Sequence, residues 1–353
     1  MRITNTPLLK RETLFLVILV VLLMYQAPGA DAAEPPGLIE GARKEGSLMI
    51  YSLLAVPDHS RIVNRFKEKY PFIEVSLIRP GASERITTRV VTEARTGQHL
   101  VDVIGVSRLN MLYLIQRALV MSYDSPERQY FDPRFKDKKN YWTAFYVNPE
   151  VMSYNTRLVP PATVPKNYQD LLDSRWKRNL VLEQTAVEWF AALMQHWGED
   201  KGLPYMRRLA GQNLKILNGN TLITQLIAAG EHPAAISLNG PRVELTKRRG
   251  APIEWVALDP TVVDIVTLGI AAHAPHPNAA KLYLNFVLSR EVQEGLLEDQ
   301  FVKPSGRTDV KSAFMAKIRS AGVQLISVAE ELGERYEKLF QQVFQCAMIG
   351  HRK

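Results

Sequence analysis

The residues best suited to hold a ligand recur at one kind of place along this chain, just after short apolar runs. Tyr51-Ser52 closes the first run, Arg79-Pro80-Gly81-Ala82-Ser83 follows the second, and Ser107-Arg108 follows the third. In an open parallel sheet, ligands settle beyond the C-terminal strand ends, where helix N-termini offer free N–H groups and a partial positive field. Gly81 would let the backbone approach a ligand closely. Ser83 can cap its helix or donate to a ligand, and Arg79 and Arg108 can grip a carboxylate or phosphate through paired hydrogen bonds. Ordinary capping for the serines and plain surface charge for the arginines remain open, but three repetitions strengthen the set. The second half offers an opposing wall in Glu183-Gln184-Thr185, in Asn218-Gly219-Asn220-Thr221 and in Asn239-Gly240-Pro241-Arg242. The candidates there are Thr185, Asn218, Thr221, Asn239 and Arg242. Asp264 is the odd member, a carboxylate inside an otherwise apolar segment. A buried charge needs compensation, so it either faces a cleft or pairs with a basic residue across a hinge.

The sequence does not point to catalysis. No G-x-S-x-G, H-E-x-x-H or G-x-x-x-x-G-K-[ST] motif occurs. The seven histidines are scattered, and the pair His273 and His276 sits in a proline-containing stretch that fits a turn leading into a helix at Asn278. No metal site and no cofactor are expected, and no pair of carboxylates is spaced for acid–base work.

The elements that must position these residues alternate. Strands are expected at Leu48 to Leu53, Val75 to Ile78 and Val101 to Val106, with helices between them carrying Ile62, Val63 and Phe66, then Ile86, Val90 and Ala94 on one face. Asp58 is placed to cap the first of these helices. Such alternation makes a parallel sheet covered on both sides. Tyr123 to Pro165 reads as a passage between domains, with an extended segment at Thr143 to Val147 and a loop at Asn148-Pro149-Glu150. A second alternating unit follows, with strands at Asn179 to Leu182, Leu214 to Leu217, Ala234 to Leu238 and Ile253 to Ala257. Val262 to Ala272 is long and apolar enough to return through the junction, and the next helix runs over Asn278 to Leu288. The expected fold class is α/β, with two lobes, a ligand cleft between them and closure by hinge motion. The expected division gives 33–145 with 265–353 to one lobe and 146–264 to the other.

Composition narrows the setting. Lys10 and Arg11, an apolar run from Leu14 to Tyr25 and Ala30-Asp31-Ala32 read as a cleavable export leader over residues 1–32. Twelve residues rising 1.5 Å each reach about 18 Å, short of the roughly 30 Å needed to anchor in a bilayer. The single cysteine, Cys346, excludes both a disulfide scaffold and a lipoprotein leader. Roughly 320 residues then remain, enough for two domains. The formal charge of +8 falls to about +7 without the leader. It permits an anionic ligand, while the dispersed basic residues and the exported address argue against nucleic acid. The compact Lys247-Arg248-Arg249 fits a helix end stopped by Gly250.

Nearly the whole mature sequence resembles periplasmic solute-binding proteins of ABC importers, in the branch that includes ferric-iron binders. The likeness is carried by Leu38 to Gly46 with the strand behind it, by Gly81-Ala82-Ser83 leading to Asp102-Val103, and by Ala274 to Ala280 followed by Phe286-Val287-Leu288-Ser289 and Gln293. The resemblance implies a non-catalytic monomer in the periplasm that captures a small solute and delivers it to an inner-membrane permease. Iron-binding relatives commonly carry adjacent tyrosines after the strand here written Ala234 to Leu238, where this chain has Asn239-Gly240-Pro241-Arg242. An arginine there repels a cation and attracts an anion, so a polar or anionic solute is expected. Ferric iron held by non-tyrosine ligands, or a sensor partnering a membrane receptor, stands as the alternative.

Overall fold

The computed structural model describes residues 34–295, 301–328 and 334–349. The leader and Cys346's side chain lie outside what is described. Among the described residues no helix is long and apolar enough to cross a membrane.

Helix α1 (Leu38–Glu45) starts after left-handed Gly37 and ends at Gly46, whose N–H donates to Ala42 O. Strands β1 (Ser47–Ser52), β2 (Glu74–Ile78) and β3 (Val103–Ser107) then alternate with α2 (Val56–Lys69), α3 (Ser83–Arg95) and α4 (Arg108–Gln116). β1 lies parallel to both β2 and β3, with Tyr51 opposite Ile78 on one side and Ile104 on the other. This is the sheet that the alternation predicts. The cap at Asp58 is not used: the residue before α2 is Ala55, and Asp58 lies in the helix's first turn. β4 (Val120–Met121) and a series of 3-10 turns follow. They are stapled by Arg128, whose guanidinium donates to Trp142 O, Asp137 O, Asn140 Oδ1 and Thr143 Oγ1.

The largest departure from expectation is β5, which runs unbroken over Thr143–Asn155. Asn148-Pro149-Glu150 is part of that strand, not a loop. Residues 143–149 pair antiparallel with β10 (Thr261–Ala271), whereas 150–154 pair with β8 (Ala234–Asn239) and 152–155 with β9 (Ile253–Val256). Pro149 falls where the strand changes partner, the one place in its ladder where a missing N–H breaks no run of bonds. The second lobe adds β6 (Leu180–Glu183), α5 (Val187–Trp197), α6 (Glu199–Ala210), β7 (Lys215–Leu217), α7 (Asn220–Ala229) and α8 (Gly240–Arg248). Gly240 is required, because a Cβ would come within 2.7 Å of Pro149 O and 2.6 Å of Phe314.

The strand order is β2-β1-β3-β10-β5-β8-β6-β7, so β10 lies antiparallel between β3 and β5. β5 and β10 are neighbouring strands that together link the two halves of the sheet. After β10 come α9 (Pro277–Leu288) and α10 (Arg290–Gly295), packed on the first lobe through Tyr283 and Phe286 against Phe66. The rest of the chain does not stay there. α11 (Ala313–Ser320) sets Phe314 on Trp255 at 4.7 Å, β11 (Leu325–Ile326) pairs with the start of β10, and α12 (Glu334–Ile349) sets Phe340 and Phe344 on Phe190. Assigning all of 265–353 to the first lobe therefore needs correction. The pattern of a short amphipathic helix does not say which apolar face it will cover.

Two buried polar groups hold the first lobe together. Arg307 donates to Glu127 Oε2 (2.5 Å), Asp309 Oδ1 and Oδ2 (both 2.8 Å) and Leu288 O (2.7 Å). His59 Nε2 lies 2.7 Å from the Tyr283 hydroxyl, and burial pushes the imidazole down to about 4.

Candidate functional site

The junction of β5 and β10 gathers most of the unusual charges of the molecule. Along β5 the side chains of Tyr146, Asn148 and Glu150 share one face, because successive strand residues alternate. Asn148 is opposite Asp264 in the ladder, and its Nδ2 donates to Asp264 Oδ2 at 3.2 Å. Asn148 Oδ1 and Asp264 Oδ1 are both buried with no protein partner. Glu150 accepts from the Ser237 hydroxyl. Ser237 adopts a left-handed φ of 57° where the β5–β8 register shifts, a conformation uncommon outside glycine and asparagine.

The electrostatics divide this place into two ends. Burial, reinforced by the charges of Asp264 and Glu183 and opposed by Ser237, pushes Glu150 up to about 8. Burial also raises Glu188, in the first turn of α5, well above the carboxylate range, with Asp264 and Glu150 adding to the effect. Asp264 is raised by burial against the hydrogen bond from Asn148 and the charges of Lys303 and Arg108. At the other end burial and the charge of Arg242 push Lys303 down to about 8, while Asp58 and Asp264 oppose that shift. Lys303 Nζ stands 4.7 Å from the Tyr146 ring centre, and its segment is tied to β5 by the bond from Val147 N–H to Pro304 O. Asp58 feels Lys303, Arg242 and Arg61. Arg79 acts on Tyr146. The charge of Arg242 thus reaches both Lys303 and Asp58.

The expected residues divide accordingly. Asp264, Arg108, Arg242 and Arg79 belong to this charged group, although Arg79 also donates to Leu53 O. Tyr51 turns away: its hydroxyl donates to Glu93, Arg89 covers its ring, and burial pushes it up to about 12. Ser52 accepts from Leu54 N–H inside the first lobe. Ser83 caps no helix and instead accepts from Ser107 N–H at 2.8 Å, tying the loops after β2 and β3 together, while Ser107 Oγ accepts from Asn110. Gly81 has a φ of 120°. In the second lobe Thr185 donates to Glu183, and Asn218 and Thr221 are exposed. Asn239 caps α8 by accepting from Arg242 N–H, which ties that arginine's backbone into the helix's first turn. Asp58, Asn148, Glu150, Glu188 and Lys303 were not foreseen. A cavity of about 910 Å³ opens between the lobes, lined by Thr88, Asn110 and Tyr113 on one side and by Thr185, Glu188 and Gln341 on the other. Glu188 links it to the charged junction.

Residues 100–320 match the family described as bacterial extracellular solute-binding protein. The chain belongs to that family. As a family member with this α/β, two-lobed binding-protein fold, it is a periplasmic solute-binding protein and not an enzyme. Curated relatives named putative 2-aminoethylphosphonate-binding periplasmic proteins, from Salmonella typhimurium and Salmonella typhi, are 26% and 25% identical over 185 residues. That stretch is 49% of this chain and 54% of theirs, so the chain spans about half the length of the curated relatives it matches. Among solved structures, iron-bound HitA from Pseudomonas aeruginosa superimposes with a TM-score of 0.74 at 18% identity, over 84% of this chain and 99% of that one. AfuA from Actinobacillus pleuropneumoniae, with fructose-6-phosphate bound, gives 0.66 at 22%, over 84% and 97%. At such identities the likeness is one of fold.

Proposed function

We propose that this protein captures a small anionic organic solute in the cleft at the β5–β10 junction and delivers it to an inner-membrane ABC permease. The lobes close about the two crossing strands. The observation that carries this reading is a positive field from both lobes: Lys303 stands 4.7 Å from the Tyr146 ring, Arg242 acts on Lys303 and Asp58, and Arg79 acts on Tyr146. An anion bridging them would give each lobe a reason to approach the other. The phosphonate named for the Salmonella relatives supports the same class of ligand.

Ferric iron held without tyrosines is the second reading, favoured by the hard oxygen donors Asp264, Glu150 and Glu188 and by the iron-bound structural neighbours. Among the described residues, however, no three His, Cys, Asp or Glu side chains converge closely enough to hold a metal ion. Mass spectrometry of small molecules released from the purified protein, followed by calorimetry on Arg242→Ala, tests the choice. A released organic anion whose affinity falls at least tenfold in the variant supports the first reading. A stoichiometric metal-to-ligand absorption band with Fe³⁺, and no organic anion, overturns it.

A further inference from the structure

Two histidines from distant parts of the chain meet on the surface of the first lobe. His99 lies in the turn between α3 and β3, and His273 in the turn between β10 and α9. Their ring centres are 4.6 Å apart and their planes are tilted by 47°. Both residues are exposed, and among the described residues neither ring makes a hydrogen bond. His273 and His276, close in sequence, are thereby divided: the His276 ring lies 2.9 Å from Asp102 Oδ2 instead.

That division fixes the pair. Asp102 stands three residues after His99, and His276 three after His273, so the two turns are joined at two rungs. Asp102 is fully buried; its carboxylate accepts from His276 N–H and from Met49 N–H, both at 2.7 Å, and its carbonyl accepts from Ala271 N–H. Ala272 N–H donates to Leu119 O, and Gln98 N–H to Glu93 O. The backbone beside each imidazole is therefore held before any ligand arrives. Two imidazoles on one ion, with metal–nitrogen bonds of about 2.0–2.1 Å and an angle of about 90–109° between them, have ring centres about 4.5–5 Å apart. The observed separation meets that requirement. Glu93, 9% exposed, lines one small cavity together with both histidines. Its Oε1 accepts from Tyr51 and Arg89, while Oε2 is buried with no protein partner. The cavity, about 20 Å³, has room for one water.

We infer that His99 and His273 form a two-histidine site for a late first-row divalent cation, Zn²⁺, Ni²⁺ or Cu²⁺, whose other positions are filled by water. Imidazole suits these ions. A water on the ion, seated in the small cavity, finds its acceptor in Glu93 Oε2, as outer-shell carboxylates commonly serve. The site is independent of the solute reading and lies away from the cleft. At this end of the ladder Ile270 pairs with Val103, whereas Ser107, opposite Val266, marks the cleft end. The ion clamps the end of a crossing strand to the first lobe and is not cargo.

Calorimetry of the untagged mature chain with Zn²⁺ and Ni²⁺, and electron paramagnetic resonance with Cu²⁺, tests it. Wild type is expected to take up one ion and to show imidazole nitrogen couplings in the Cu²⁺ spectrum. His99→Gln and His273→Gln should each lower the affinity at least tenfold, and the double variant should lose the site. Because both residues are exposed, the metal-free variants should melt with wild type, and Zn²⁺ should raise the melting temperature of wild type alone. No uptake by wild type, or uptake that survives undiminished in the double variant, overturns the site.

Discussion

Two charge clusters in this molecule, one buried and one half-buried, use the same residue types to opposite ends. Around Arg307 every guanidinium nitrogen has an acceptor in Glu127, the two oxygens of Asp309 or the Leu288 carbonyl, and the pairing holds Asp309 below the usual carboxylate range. At the β5–β10 junction, carboxyls are crowded together and raised, a lysine is lowered, and two acceptor atoms lack protein partners. A charge cluster completed by its own fold is structural. One left incomplete in a cleft between lobes is the better candidate for charge brought from outside.

The sharpest way to break this contrast is to damage the closed cluster. Arg307→Leu strands Glu127, 1% exposed, without its cation, and should lower unfolding stability by about 3–5 kcal/mol in a urea titration. His59 behaves as a structural group of the same kind, with a folded pKa pushed down to about 4 from an ordinary 6.5. Its contribution is fully present above pH 6.5 and is lost as pH falls through 4, an acid-side loss of roughly 3 kcal/mol. Melting curves of His59→Gln should therefore depend less on pH over that window than those of wild type.

Damage to the open cluster should act on binding before stability. Arg242→Ala is expected to weaken an anionic solute about 10- to 100-fold, near 1.4–2.7 kcal/mol, with little change in melting temperature. Affinity for an anionic solute should fall as pH rises through about 8, where Lys303 gives up its proton and its hold on an anion. Near pH 5 the smallest effect belongs to Glu150→Gln in the unliganded protein. Because the folded carboxyl is raised to about 8, wild type loses stability from this group as pH rises from about 4.5 through 8. The variant should lie within about 1 kcal/mol of wild type near pH 5 and gain on it toward pH 8. A variant that melted much lower at both pH values would move Glu150 into the structural class.

Much of the architecture was legible because its signals are periodic. The apolar run at Val262 to Ala272 became β10 over Thr261–Ala271, and the helix expected at Asn278 to Leu288 starts one residue earlier. Charges set against an apolar background, such as Asp264, or beside a helix start, such as Arg108 and Arg242, were legible for the same reason. Glu150 was hidden by Pro149, which reads as a turn wherever the change of partner strand is unknown. Glu188, Lys303 and Asp58 look like solvated charges until the tertiary fold half-buries them. Ser237 carries no local sign of its left-handed backbone. Tyr51 and Ser83 show the converse error: their polar groups do find partners, but those are Glu93 and Ser107 N–H rather than a ligand.

The central place of β10 also sets a timetable. β3 and β5 are complete by residue 155, yet neither can close the middle of the sheet until a strand ending at Ala271 arrives between them. Such distant pairings raise the contact order and slow folding, because loop-closure entropy must be met before the long-range contacts form. An emerging chain would have most of its length synthesised before it could become a finished body. For a protein whose work lies beyond the inner membrane, late completion keeps the polypeptide threadable for longer.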